Sequence, residues 1–296
     1  MKPERTSHEI ASDTVPRMPS WVTSARAQTP EDVAFLSGAA LASLHVVLGQ
    51  QDMPNFLLRE RLALSAAEAC VAFSGRPERA GDLRDAVHFM RPGDLPGPSG
   101  EVYLWWRRAI ERPVSGKAVH RALPACAPDK IAFWLDAGAG APITRAAQVL
   151  EAVLTSSPRS EVPGLILADS ALSQALGWTY MVPLLSNGVK HGDLRKRGDD
   201  LRFACHLAVT ASAVEAVRMA ADLARRVARL NAVAPKLRAK GANQAVEMFL
   251  TRDALIPAAL MSLNSDRAAR RLCDRLVDLG VVRELSGRDS FRLYGV

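Results

Sequence analysis

The sequence predicts a mainly α protein, with a multi-helical body and a C-terminal winged helix-turn-helix module that carries a small β-hairpin. Alanine, leucine and arginine recur along a chain of 296 residues that is 48% hydrophobic, 23% charged and only 5% aromatic, and these three residues favour helices. Apolar residues keep helical spacing in successive segments, several of which open on proline and close near glycine. After Gly280 the spacing changes from helical to extended, which predicts the hairpin.

The first ordered element is predicted to begin at Thr29. Residues 1–28 contain three prolines among serine, threonine and charged residues without a sustained period, so they are predicted to form a flexible tail. Thr29 can cap a helix and Pro30 suits its first position. Apolar residues then continue at helical spacing to about Leu48.

The helical body is predicted over residues 29–235. Further helices are expected at Pro54–Phe73, Pro77–Met90, Gly100–Glu111, Gly116–Leu123, Pro128–Ala137, Pro142–Ser156 and Pro163–Leu176. The longest helix is expected from Asp199 to about Ala232, because acidic residues at its start and arginines near its end complement the helix dipole. Pro235 ends this helix, and the basic stretch 235–241 is the predicted domain boundary.

The C-terminal module is predicted over residues 236–296. Its elements are expected at Gln244–Leu250, Asp253–Met261 and Ser265–Leu279 for the helices, and at Val281–Leu285 and Phe291–Tyr294 for the strands, with a tight turn over 286–289. Ser265 can cap the third helix, which should bury Ala269, Leu272, Leu276 and Leu279. Pro257 should kink or delay the second helix, because proline removes a backbone donor.

A basic surface on this module predicts contact with double-stranded DNA. In winged helices the third helix enters the major groove and the hairpin follows the backbone. The residues expected to contact DNA are Ser265, Arg267, Arg270, Arg271, Arg275, Arg288 and Arg292. Three aspartates on the same helix would repel phosphate, and winged helices also dock proteins. The alternative is therefore a helical scaffold whose module docks a protein partner, and the body could serve oligomerisation into a homo-oligomer or ligand sensing.

Charge and composition limit the other function classes. The net charge is +7, and residues 236–296 hold 11 basic and 7 acidic residues, a balance that fits nucleic-acid contact without establishing it. The N-terminus lacks the apolar run of a secretory signal, and charged residues interrupt the longest apolar stretches, so no membrane contact and a cytoplasmic location are expected. The four cysteines have no zinc or disulfide spacing, which predicts reduced, buried thiols.

Known catalytic and cofactor motifs are incomplete in this sequence. Lys117 ends a segment similar to a phosphate loop, but Glu111 replaces its first glycine and Ala118 its magnesium-binding hydroxyl. The segment around Gly138 and Gly140 lacks the third glycine of a dinucleotide fingerprint. No catalytic residue, metal site or cofactor is therefore predicted, and an enzyme is less expected than a binding protein.

A stiff loop rich in proline and glycine gives a second candidate site. Asp94 lies in this loop, and Trp105, Trp106 and Arg107 follow it, so that adjacent tryptophans beside an arginine could stack a base or hold a peptide or another ligand. The favoured alternative is a rigid connector into a core helix that buries one tryptophan. If the chain were an enzyme, Asp94, Arg107, Asp136 and Asp169 would be the charged groups to test.

Several segments resemble a known bacterial family. They are Phe35-Leu-Ser-Gly-Ala-Ala-Leu-Ala, Arg91-Pro-Gly-Asp-Leu-Pro-Gly-Pro, Trp134-Leu-Asp-Ala-Gly, Leu167-Ala-Asp, Ala234-Pro-Lys-Leu-Arg-Ala-Lys-Gly and Ser265-Asp-Arg-Ala-Ala-Arg-Arg-Leu. From about Ala34 to the end, the chain resembles domain of unknown function 1403, a family that implies no activity or catalytic residue. The ending from Glu284 is also similar to the winged tail of some Fic-family proteins. The nucleotidyl-transfer motif of those enzymes is absent, so only a shared docking mode is implied.

Overall fold

The structure, a computed structural model, describes residues 15–238, 241–263, 265–288 and 290–296. The predicted mainly helical class is confirmed, with 67% helix and one small antiparallel sheet in the described part of the chain. The helices are α1 Ser20–Ser24, α2 Pro30–Leu48, α3 Asn55–Phe73, α4 Ala80–His88, α5 Gly97–Glu111, α6 Gly116–Ala122, α7 Pro128–Asp136, α8 Pro142–Ser156, α9 Glu161–Ala175, α10 Leu185–Gly188, α11 Gly198–Val233, α12 Ala242–Thr251 and α13 Asp266–Asp278. The strands are β1 Arg283–Glu284 and β2 Tyr294–Gly295.

The long helix α11 is the centre of the body. Helices α2, α3, α8 and α10 pack against it, and α9 packs against α8. Gly188 at the end of α10 allows the closest approach, because a Cβ there would lie 2.3 Å from the Ala208 carbonyl oxygen on α11. The core runs continuously from the body into the C-terminal segment, with Trp106, Leu223 and Phe249 in one buried cluster.

Local signals set the start of α2 as predicted. The Thr29 hydroxyl accepts a hydrogen bond from the Asp32 amide at 3.1 Å, and the Asp32 carboxylate accepts one from the Thr29 amide at 3.1 Å. This reciprocal capping box satisfies two amides that the helix cannot pair. The start of α2 is therefore determined by the four consecutive residues from Thr29 to Asp32.

The structure differs from the predicted flexible tail over residues 1–28 in the part that it describes. Residues 1–14 of that tail lie outside the described residues. Helix α1 follows, its Val22 is buried, and its Trp21 stacks on Phe35 with ring centroids 5.4 Å apart. An aromatic pair and one buried valine hold this segment against α2, and a composition rich in proline and serine did not indicate that contact.

The predicted second helix of the C-terminal module, Asp253–Met261, is wrong. The segment is extended at Leu255, which exchanges two backbone hydrogen bonds with Tyr294 at 2.8 and 2.9 Å. Only Pro257–Ala259 forms a 3₁₀ turn. Proline suits the first turn of a helix but has no amide for its interior, and pairing with β2 holds the residues before it in an extended conformation.

The rest of the module follows the predicted order with shorter strands. β1 and β2 pair antiparallel, with Arg283 opposite Gly295 and Glu284 opposite Tyr294. Asp289, in the predicted turn, lies outside the described residues. Helix α13 buries Ala269, Leu272, Cys273 and Leu276. Leu279 is 40% exposed, so its predicted place on the buried face is wrong, because the helix has already ended at Asp278.

Two helical stretches, Pro30–Leu48 and Gly198–Lys236, are long and apolar enough to cross a membrane by length and composition. Their most apolar windows are 39% and 50% buried within the structure. α2 also packs along α11, with Ser37 Oγ and His206 Nδ1 2.7 Å apart. Core helices of soluble proteins pass the same test of length and composition, so the expected absence of membrane contact stays a prediction.

The four cysteines are free thiols, as predicted. Burial raises the pKa of Cys70, Cys205 and Cys273 to about 12. These three thiols are therefore unreactive hydrophobic side chains at neutral pH. Cys126 is only half-buried.

Candidate binding groove

A buried ion-pair cluster joins the C-terminal module to the body. The carboxylate of Asp253, two residues after the end of α12, is fully buried and pairs with Arg61 of α3 and Arg84 of α4. Arg84 Nε lies 2.6 Å from one carboxylate oxygen and its Nη2 lies 3.3 Å from the other. Burial opposes ionisation of Asp253, but the charge of Arg61 and the hydrogen bond from Arg84 hold its pKa below the ordinary value. Asp253 is therefore a paired, buried anion at this junction.

The hairpin makes a second attachment to the same part of the body. Arg288 Nη2 lies 2.5 Å from a carboxylate oxygen of Asp85 on α4. Phe291 meets Phe89, just after α4, edge to face with ring centroids 5.8 Å apart. The end of α4 and the residues after it thus face the C-terminal module, and the two walls enclose a groove.

This groove has a volume of about 870 Å³. Most of its lining is apolar and comes from three segments of the chain, with Phe89 and Met90 after α4, Ile256, Pro257, Leu260 and Met261 before α13, and Phe291 in the hairpin. Met261 is 89% exposed and Phe291 is 68% exposed. Large apolar side chains at the rim of a concave surface are typical of ligand and protein interaction sites.

Phe291 has an unusual backbone conformation. Its φ is +56°, and it is the one described residue other than glycine with a positive φ. This left-handed conformation is uncommon for a bulky side chain and costs on the order of 1–3 kcal/mol. The fold therefore holds an exposed phenyl ring at the groove rim against a local strain.

Charged side chains border the groove. On α13, Arg270 pairs with Asp266 at 2.7 Å. Arg292 Nη1 lies 4.0 Å from an oxygen of Asp274, a distance at which the attraction between them is modest. The charges that line the groove are Arg91, Arg270 and Arg292 against Asp266 and Asp274. The rim is therefore weakly positive.

His88 lines the inner end of the groove. Its Nε2 is buried and has no hydrogen-bond partner among the described residues. Burial, followed by the positive charge of Arg107, lowers the pKa of His88 to about 4. His88 is neutral at physiological pH and gives the groove an uncharged polar group.

The residues predicted to contact DNA are divided among different surroundings. The Ser265 hydroxyl caps α13 by accepting a hydrogen bond from the Ala268 amide at 3.2 Å. Arg270 and Arg292 line the groove, whereas Arg288 is paired with the body. The remaining three predicted contacts are exposed on α13 outside the groove lining: Arg267, Arg271 and Arg275.

The second predicted site is not brought together either. Trp106 is fully buried in the core, and Trp105 is half-buried against it. Arg107 pairs with the buried Glu60 at 3.5 Å, while the exposed Asp94 accepts a hydrogen bond from the Arg91 amide at 2.8 Å. These placements match the alternative interpretation, a connector leading into a core helix.

The two further acidic groups named from the sequence also lie apart. Asp136 is exposed at the end of α7. Asp169 is fully buried in α9, where it accepts hydrogen bonds from the amides of Leu184, Leu185 and Ser186. Its environment is that of a cap for the short helix α10. No group of three or more potential metal ligands occurs among the described residues.

Sequence reasoning missed the residues that build the groove. Arg84 and Asp253 are 169 positions apart, and no local spacing connects them. Met261 was placed in a helix that does not form. The one usable signal was Phe291, an aromatic residue beside a turn in an otherwise polar hairpin loop, and it was assigned to a strand.

Comparison with known proteins adds a family but no activity. The family model described as "Protein of unknown function (DUF1403)" matches residues 6–296. No curated protein matches the chain. The similarity of the ending to Fic-family tails is not part of this match and stays a prediction.

Proposed function

Because this chain belongs to the family of proteins of unknown function DUF1403, no activity is inherited from it, and we propose from the groove alone that the protein is a protein-binding adaptor. Its groove takes an apolar peptide segment of a partner protein. The observation that carries the proposal is that Met261 and Phe291, two exposed apolar side chains, both lie on the rim of one concave surface.

The size and lining of the groove support a peptide occupant. A volume of about 870 Å³ falls within the range of roughly 300–1,000 Å³ of ligand pockets. Its apolar walls suit two or three large side chains of a bound segment. Since the lining holds three arginines and two aspartates, the segment is expected to carry Asp or Glu beside its apolar residues.

The C-terminal module fits this function as a docking unit. The order helix, extended bridge, short turn, helix and two strands supports the proposal of a winged helix whose second helix is reduced to a 3₁₀ turn. Arg288 and Phe291 of its hairpin contact the body, so the hairpin is not free to follow a DNA backbone. The module instead supplies one wall of the groove.

Selection of peptides from a random displayed library against the purified full chain tests the proposal. We expect enriched sequences to share large apolar residues next to Asp or Glu. In fluorescence anisotropy, Met261→Asp and Phe291→Asp should each weaken binding of such a peptide about tenfold or more, near 1.4 kcal/mol. Phe133→Asp is the matched control, because Phe133 on α7 is 67% exposed and lies outside the groove lining.

Three outcomes would contradict a peptide occupant. Selection without enrichment, or equal binding by Phe291→Asp and Phe133→Asp, would reject the groove as the site. A sedimentation mass that indicates a dimer in the wild type and a monomer in Met261→Asp would identify the occupant as a second copy of the chain.

DNA binding is the second candidate, and one observation favours it. Arg267, Arg271 and Arg275 repeat every four residues on an exposed strip of α13, and none makes an ion pair with another described residue. Electrophoretic shifts of duplex DNA over a salt series would test it. We expect Arg271→Gln to make the slope of log affinity against log salt shallower by about 1. Arg229→Gln on α11, outside both groove linings, should leave it unchanged. The absence of a shift at low salt would reject this candidate.

A further inference from the structure

A second groove lies between α3, α11 and the sheet, separate from the one described above. Its volume is about 490 Å³. Arg61 reaches it from α3, Arg226 from α11 and Arg283 from β1. These arginines are far apart in the sequence, so the tertiary fold gathers them and a local run of charge does not.

Positive charge exceeds negative charge in this groove. Its charged lining consists of Arg61, Arg218, Arg225, Arg226 and Arg283 against Glu215 and Asp222. Glu215 makes a bidentate pair with Arg218 at 2.7 and 3.0 Å. Asp222 forms ion pairs with both Arg226, at 2.7 Å, and Arg225, at 3.2 Å. Arg283 makes no ion pair with any other residue that the structure describes.

Arg61 is fixed at the inner side of this groove. Its Nη2 donates to the Val296 carbonyl oxygen at 2.8 Å, and its Nε pairs with Asp253. The side chain is 16% exposed. A guanidinium held in this way loses little further freedom when it meets a ligand.

The neighbouring arginines oppose one another. Partial burial, followed by the positive charge of Arg226, lowers the pKa of Arg283. Burial also lowers the pKa of Arg61. The charge of Asp253 opposes this shift, and the charges of Arg84, Arg283 and Arg226 add to it. Asp253 and Asp222 offset part of the repulsion between these cations, and an anion bound in the groove would offset more of it.

We infer that this groove binds a small multivalent oxyanion, either a phosphate compound or a polycarboxylate. Guanidinium groups match the planar, bidentate geometry of both kinds of oxygen group. The apolar part of the lining is Met219, Leu223 and Val296, without an aromatic ring. A stacking surface for a nucleobase is therefore missing among the described lining residues, and the anionic group itself is the recognised feature.

Isothermal titration calorimetry of the full chain tests this site, with pyrophosphate and citrate as separate probes at constant ionic strength. We expect one of them to bind, and the probe that binds distinguishes phosphate from carboxylate chemistry. Arg283→Gln should weaken binding about tenfold or more. Arg229→Gln, on the same helix α11 and outside the groove lining, should leave it unchanged.

Thermal unfolding gives an independent measurement on the same proteins. Without anion, Arg283→Gln should unfold at a temperature equal to or above that of the wild type, because it removes repulsion. With anion, the melting temperature of the wild type should rise, and that of Arg283→Gln should rise less at the same anion concentration. Failure of both probes to bind, or equal binding by Arg283→Gln and wild type, would overturn the inference. Loss of duplex DNA binding in Arg283→Gln without any effect on either probe would also overturn it.

Discussion

Arg84 holds both carboxylate oxygens of Asp253 across 169 positions of sequence, with Nε 2.6 Å from one oxygen and Nη2 3.3 Å from the other. Arg61 pairs with the same carboxylate from α3. One anion thus ties two helices of the body to the segment that follows α12. The ion pairs of Asp253 hold the C-terminal module against α4, and the groove lies between these two parts of the chain.

Removal of that anion should destabilise the protein strongly. Asp253→Ala leaves two nearly buried guanidinium groups without their partner, and we expect a loss of about 3–5 kcal/mol in the free energy of unfolding. Urea denaturation measures the loss. Asp266→Ala is the control, because Asp266 is 53% exposed and its pair with Arg270 lies on the surface, where such pairs contribute about 0–1 kcal/mol. Similar losses in both variants would show that Asp253 does not hold the module.

Local signals predicted the helices of the body, and tertiary contacts explain the failures. The capping box at Thr29 and the proline at the start of α8 involve neighbouring residues, so the sequence alone indicates those helix ends. Asp253 is different, because its partners come from α3 and α4. Leu255 pairs with Tyr294, which lies beyond α13 and β1. Periodicity over ten residues carries no information about either contact.

The candidate site was less predictable than the fold. Positive charge on α13 and in the hairpin was visible in the sequence, but the structure pairs Arg288 of the hairpin with Asp85 on α4. The arginines of the second groove were hidden for a similar reason. The sequence pattern assigned Arg226 to the arginines that complement the dipole of their own helix, whereas in the structure it lies near Arg61 and Arg283. Both candidate sites are built from residues that lie far apart in the sequence, and a local sequence pattern does not indicate that they meet.

Acidification should destabilise the groove through His88. Its folded-state pKa of about 4 lies below the ordinary 6.5, so the neutral form is favoured by the fold. The stability from this residue is complete above about pH 6.5 and is lost as the pH falls towards 4, by at most about 3 kcal/mol. Urea denaturation at several pH values should show a flatter profile for His88→Gln than for wild type.

A second group with a shifted pKa contributes to the same profile. Asp169 also titrates in this window, because burial raises its pKa to about 6. Its effect has the opposite sign, with stability lost as the pH rises through 6. The difference between wild type and His88→Gln therefore isolates the histidine. Identical profiles would mean that His88 is accessible to water in the folded protein.

The buried carboxylate of Asp169 should be needed to fold the chain around α10. It accepts backbone hydrogen bonds from Leu184, Leu185 and Ser186 at 3.0, 2.8 and 3.3 Å. Asp169→Ala leaves these buried donors without an acceptor, and we expect a loss of about 3 kcal/mol or more. Asp136→Ala, at an exposed helix end, should cost less than about 0.5 kcal/mol. Denaturant unfolding distinguishes them, and comparable losses would contradict a capping role for Asp169.

Phe291→Gly should separate stability from binding at the first groove. Glycine adopts a φ of +56° without the strain that phenylalanine carries, and this gain of about 1 kcal/mol offsets the lost contact with Phe89, worth about 0.5–1.5 kcal/mol. The free energy of unfolding should therefore change by less than about 0.5 kcal/mol. Phe133→Gly, inside helix α7, should cost about 0.5 kcal/mol through helix propensity alone, because phenylalanine is itself a poorer helix former than alanine. Peptide affinity should show the reverse order, with a loss of about tenfold for Phe291→Gly and none for Phe133→Gly. If Phe291→Gly instead lowers stability more than Phe133→Gly does, the ring stabilises the hairpin and the strain does not serve ligand binding.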